Sequence, residues 1–298
     1  MESLSRHGKI SCLTIRKLQS DWKSSQVPDL VLPGLWAGTV GCLMTVGLVD
    51  KGMFLFEIAA QITDMLKQHF LNIPMEQHGS VVIFAGDDTA ESCLHRTESV
   101  RTFVQKRPQE DDTIYDEELD EDAVNVSKHR SNNLKIYPAL GYCIDLLNPQ
   151  WIDKIKPLLK GVRLCIFDPI ARFDSTENHQ PSSGDKLLSI LEQLARETGC
   201  AILFTHDIGG VLHDLVDGLK TTPRYQTLIE KTVWQSSLSV MSEDEAKRNY
   251  QRVGQSKREN FLRFRIHKNN GAPIPDFWLE RRKYGFLTQS EIERNAFY

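Results

Sequence analysis

The sequence predicts an α/β fold: a mainly parallel, twisted sheet with helices on both faces. Two observations carry this. Apolar runs that read as buried strands alternate with stretches of helical period along most of the chain. Polar groups then collect where those runs end, at Lys51, Asp87, Asp88, Asp168, Thr205 and His206. In open α/β sheets the C-terminal strand edge is where ligands bind.

The elements follow in order. Residues 1–27 read as an N-terminal extension or subunit-docking tail, with a short helix at Ile10 to Trp22. Val40 to Met44 is a short buried strand. A loop containing Gly47 and Asp50 follows, and Lys51 opens a helix whose Phe54, Leu55, Ile58, Ala59 and Ile62 recur along one face. Ser80 to Ala85 is a second buried strand, with a helix from Thr89 to about Lys106 behind it. Leu134 to Pro138 is a third strand, and Asn148 to Leu159 a helix containing Pro157. Arg163 to Asp168 is an apolar run ending in a carboxylate. The amphipathic helix from Lys186 to Thr198 closes on Gly199, and Cys200 to His206 is the next strand. Residues 209–226 read as loop. Val233 to Val240 is a strand, 247–258 a basic connector, and Leu262, Phe264 and Ile266 alternate with Arg263 and Arg265 on a further strand. Phe277 to Leu279 reads as the last.

Composition bounds the rest. The 298 residues are 40% apolar with net charge −4. This suits one domain over 28–298, carrying an acidic insert at 108–133, and nothing global advertises nucleic acid. Charge is nonetheless polarised, acidic over 110–122 and basic over 247–268. The insert reads as a solvated segment. The Arg263 and Arg265 face reads as solvated, paired with that segment, or in contact with nucleic acid. Six cysteines form no Cys-x-x-Cys pair, so free thiols in a reducing cytoplasm are expected. Met1 to Lys23 lacks the apolar core of a signal peptide, and no run approaches the ~20 apolar residues that span a bilayer.

Strand, glycine-containing loop, lysine and helix is the layout of a phosphate-binding P-loop. The spelling departs from it, because Asp50-Lys51-Gly52 stands where Gly-Lys-Ser/Thr is expected. Asp50 also suits a helix cap. Asp168 has the setting of a strand-end metal ligand, Asp87 is placed to face a γ-phosphate, and His206 to sense it. An acid–base enzyme using Asp168 and His206 is the reading without phosphate, though no nucleophile motif accompanies it.

Taken together, AGTVGCL, VVIFAGDD, LCIFDPIARF, TGCAILFTHD, WQSSLS and HKNNGAP resemble the RepA-type hexameric replicative DNA helicases of broad-host-range plasmids. The resemblance covers about residues 28–287. It implies a RecA-like P-loop fold with antiparallel strands added C-terminally, ATP and Mg²⁺ as cofactors, and a ring-shaped homo-oligomer on single-stranded DNA. Other replication proteins are implied as partners. Lys51 falls on the Walker A lysine, and Gly52 on the serine that ligates Mg²⁺. Asp50 replaces the glycine before the lysine. Asp87 falls on the catalytic glutamate, Asp88 on the acid beside it, Asp168 on the Walker B aspartate, and His206 on a nucleotide-sensing histidine. A one-residue shift brings Arg224 onto the arginine finger. Lys268 and Asn270 match a turn near the phosphates, so Asp87, Asp168, His206 and Lys268 are expected to ring the loop.

The departures have physical consequences. Gly52 offers no hydroxyl. A carboxylate at Asp50, ~4 Å from a phosphate at an effective dielectric of about 20, costs about 4 kcal/mol per unit charge. Asp87 holds its carboxylate roughly 1.5 Å short of a glutamate's, against a tolerance of about 1 Å. Weak or absent hydrolysis is expected, with fold and assembly kept.

Overall fold

Successive side chains on the central strands point to opposite faces and sort into two apolar layers. Leu43, Ile83, Ile166 and Leu203 face one way with Phe54, Leu55 and Ile58. Cys42, Phe84, Phe167 and Phe204 face the other way with Leu187, Leu191 and Leu194. Period 2 on the strands meeting period 3.6 on the helices is what lets one sheet bury both faces. The computed structural model describes residues 29–46, 49–65, 71–75, 77–105, 133–175, 181–208, 221–249, 255–271, 273–290 and 292. The N-terminal extension, Gly47 and the acidic insert up to residue 132 lie outside the described residues.

A small antiparallel hairpin, β1 (Leu30–Leu32) with β2 (Leu35–Trp36), precedes the main sheet. The strands of that sheet are β3 (Val40–Val46), β4 (Ser80–Ala85), β5 (Leu134–Pro138), β6 (Val162–Asp168), β7 (Ala201–Ile208), β8 (Trp234–Val240), β9 (Phe261–Lys268), β10 (Phe277–Arg281) and β11 (Leu287–Gln289). Their spatial order among the described residues is β11-β10-β9-β8-β3-β7-β6-β4-β5. From β8 to β5 every pairing is parallel, and β9, β10 and β11 add antiparallel. The helices are α1 (Lys51–Ile62), α2 (Ala90–Gln105), α3 (Pro149–Leu158), α4 (Pro181–Thr198), α5 (Pro223–Lys231) and α6 (Glu243–Arg248).

Several elements depart from the sequence reading. Helix α4 begins at Pro181, not Lys186, because proline presets the first helical residue before the amphipathic pattern starts. Its early glycine, Gly184, lies where any side chain would strike the Arg224 carbonyl, so α5 packs directly on the α4 backbone. Helix α5 sits partly within residues read as loop. Its opening Thr-Thr-Pro-Arg looks like a turn, and Pro223 at the first position again starts the helix. Phe277 to Leu279 is not the last strand: β11 pairs with β10, Glu280 opposite Thr288. The Arg263 and Arg265 face is only partly solvated, and it has carboxylate partners among the described residues. Both guanidiniums pair with Asp276, and Arg263 also with Glu245.

Candidate functional site

The site grows from the junction of β3 and α1. Asp50 caps the helix, its Oδ1 accepting from the Met53 amide at 3.1 Å. Lys51 follows as the first helical residue. Because β7 lies between β3 and β6 in the sheet, Lys51 projects toward two strand ends at once. Its Nζ stands 3.1 Å from Asp168 Oδ1 on β6 and 2.8 Å from Asp207 Oδ2 on β7. Thr205 donates to Asp168 Oδ1 at 2.5 Å, and the Thr45 hydroxyl donates to Asp207 Oδ1. Burial pulls the Lys51 ammonium down, but Asp168 and Asp207 outweigh it and leave its pKa raised. Burial pushes the Asp168 carboxyl up against the opposing pull of Lys51 and Thr205. Asp207 is exposed, and its bonds from Lys51 and Thr45 hold it below the usual range.

Asp87 and Asp88 lie in the turn just after β4, which is not the neighbour of β3. Two strands separate them, placing β4 about 14 Å away across the sheet. Asp87 is largely exposed and accepts from Arg172 Nε at 2.5 Å. Asp88 turns back toward α1 through Arg96 on α2. The Arg96 guanidinium binds both Asp88 oxygens, at 2.5 and 2.9 Å, and overlies Gly52.

Of the remaining residues, His206 lies within electrostatic reach of Lys51, while Arg224 and Lys268 do not ring the loop. His206 is buried on β7, its Nε2 2.7 Å from Thr221 Oγ1 and its ring 4.7 Å from that of Tyr225. Burial lowers its pKa to about 4, so it is neutral at physiological pH. Arg224 is only 1% exposed and paired with the buried Asp174. An arginine finger needs an accessible guanidinium, so this disposition corrects the expectation for Arg224. Lys268 and Asn270 are corrected as well. Strand β9 runs back against β8, and Lys268 pairs with Gln235, level with Cys42 near the start of β3. They therefore sit toward the edge opposite Lys51, Lys268 being four residues or about 13 Å along the strands from the end of β3. Lys268 Nζ there donates to the Glu230 carbonyl at 3.0 Å, at the C-terminal end of α5.

A family model described as an AAA domain matches residues 13–209, which contain Lys51, Asp168 and Asp207. The chain belongs to this family of AAA domains. Among solved structures, the AAA domain is similar to the RadB recombinase, with 9% identity and a TM-score of 0.51 over 87% of this chain and 93% of that one. It is also similar to a DnaB-like replicative helicase, with 13% identity and a TM-score of 0.58 over 92% of this chain. The chain spans 65% of that helicase's length. These likenesses, with the mostly parallel sheet, give the AAA domain a RecA-like P-loop fold.

RecA-like P-loop ATPases as a family bind ATP and Mg²⁺. The donor set of this AAA domain does not fit the metal. Gly52 has no hydroxyl, its side-chain space holds a guanidinium, and Asp168 Oδ1 already serves Lys51 and Thr205. Among the described residues no three His, Cys, Asp or Glu gather as metal ligands. Two cations, Lys51 and Arg96, face four carboxylates, Asp50, Asp88, Asp168 and Asp207. With all of them ionised, the surplus is negative and opposes a polyphosphate. Sequence reasoning missed Arg96, Asp207 and Thr45 as members of the cluster. Asp207 was visible beside His206. Arg96 lies two helical turns beyond Asp88, a spacing that brings residues onto one face.

Proposed function

We propose that this chain is a RecA-fold, RepA-helicase-like protein that acts on single-stranded DNA in plasmid or mobile-element replication as a ring subunit with lost or much weakened ATP hydrolysis. The observation that carries this is the state of Lys51. Its ammonium, which an active loop gives to phosphate, is held by Asp168 and Asp207. Asp50 reinforces the reading by placing a carboxylate at the positive end of α1, where a phosphate would sit. The DnaB-like relative is described with primase. A partner among the replication proteins suits a subunit that keeps fold and assembly without the motor step.

The alternative is the working helicase of the resembled family. Hydrolysis of ATP with and without single-stranded DNA separates the two. The expected result is background turnover that DNA does not stimulate and that Lys51→Ala leaves unchanged. DNA-stimulated turnover abolished by Lys51→Ala would sink the proposal.

A further inference from the structure

The space beside Gly52 is filled from across the site. A Cβ built on Gly52 would lie 2.6 Å from both Cζ and Nη2 of Arg96 and 2.8 Å from its Nε. No carbon tolerates such contacts, so a side chain at 52 requires the guanidinium to move from where it stands. The guanidinium is also anchored. Asp88 grips it through both oxygens, and Ser92 donates to Asp88 Oδ1 at 3.2 Å. The pair is part-buried, with Arg96 22% and Asp88 13% exposed at the side chain. A guanidinium stays charged at any physiological pH and matches a carboxylate through two parallel bonds. The anchored cation therefore stands beside the helix position whose hydroxyl holds the divalent ion in an active loop.

We propose that Arg96 is a built-in plug: anchored by Asp88, it takes the place of the residue-52 hydroxyl and its metal, and Gly52 is the residue that makes room for it. The proposal rests on the non-catalytic reading above and adds which contact closes the site. It also says what reopens it. Restoring the hydroxyl alone fails because the serine meets the plug. Removing the plug alone fails because the ligand is missing.

The test uses the full chain and three variants, Gly52→Ser, Arg96→Met and the double variant. Methionine keeps the packing of the arginine stem. Binding of a fluorescent ATP analogue is titrated in Mg²⁺ and in EDTA. The double variant is expected to bind about tenfold tighter in Mg²⁺ than in EDTA, while the other three proteins show no such difference. A double variant that melts cooperatively yet shows no Mg²⁺ dependence overturns the plug and leaves the non-catalytic reading standing. Mg²⁺-dependent binding by the unsubstituted chain overturns both. A second measurement needs only one variant. Serine is the better helix former, so Gly52→Ser ordinarily raises stability. Displacing Arg96 from Asp88 reverses that sign, and a fall of about 2–4 °C in melting temperature is expected. A rise overturns the proposal.

Discussion

Asp50 and Arg224 are single side chains whose surroundings settle their chemistry. The Asp50 carboxylate accepts the Met53 amide, a cap contributing about 1 kcal/mol, and thereby puts a negative charge where a phosphate loop offers bare amides. That role was legible, because an Asp immediately before a helical period is a start signal. Arg224 was not legible. An arginine after Thr-Thr-Pro reads the same whether it faces a neighbouring subunit or its own core. In the fold it is sealed between α4 and α5 against Asp174. Arg224→Ala takes the guanidinium away from a buried carboxylate and is expected to cost about 3–5 kcal/mol, read as a lower midpoint in urea. Unchanged stability would refute the structural role and return Arg224 to the surface.

At the scale of elements, α1 is tied to the C-terminal hairpin by a buried carboxylate. Glu57 is 3% exposed, and its Oε1 accepts from the Leu287 amide of β11 at 2.8 Å. Its Oε2 has no hydrogen-bond partner among the described residues. Burial, aided by the charge of Asp50, pushes its pKa well above the ordinary value. The sign follows from linkage. The unfolded chain, with a glutamate pKa of about 4.3, loses this proton first as pH rises. The contribution of Glu57 is therefore complete below that value and is lost as pH climbs through the raised, folded one. Glu57→Gln keeps the acceptor for Leu287 and removes the ionisation. It is expected to raise the urea midpoint at pH 8 and to change it little at pH 4. An equal shift at both pH values would count against a raised pKa. Strand β11 itself was missed because three residues after a Gly-containing turn carry too short a pattern to read.

For the whole molecule, the strand order decides what the site can be. With β7 between β3 and β6, Lys51 faces Asp168 and Asp207 together. With β9 antiparallel, Lys268 is carried to the far edge. Ring assembly in a chain whose Mg²⁺ seat is filled is expected not to depend on nucleotide. Light scattering should give the same mass with and without Mg-ATP, and a mass that rises with Mg-ATP would overturn this.

The sequence alone determined the alternation of buried strands and amphipathic helices, the boundaries of β4 and β5, and the cap at Asp50. These are read from periodicity and from residues within a turn of one another. Tertiary structure decided the partners. Lys51 and Asp207 are 156 residues apart in the chain and 2.8 Å apart in space. Arg96 meets Gly52 from a different helix. Local propensity does not encode which strand lies beside which, so a loop that reads as a misspelt phosphate site became an internally paired one only once the sheet was assembled.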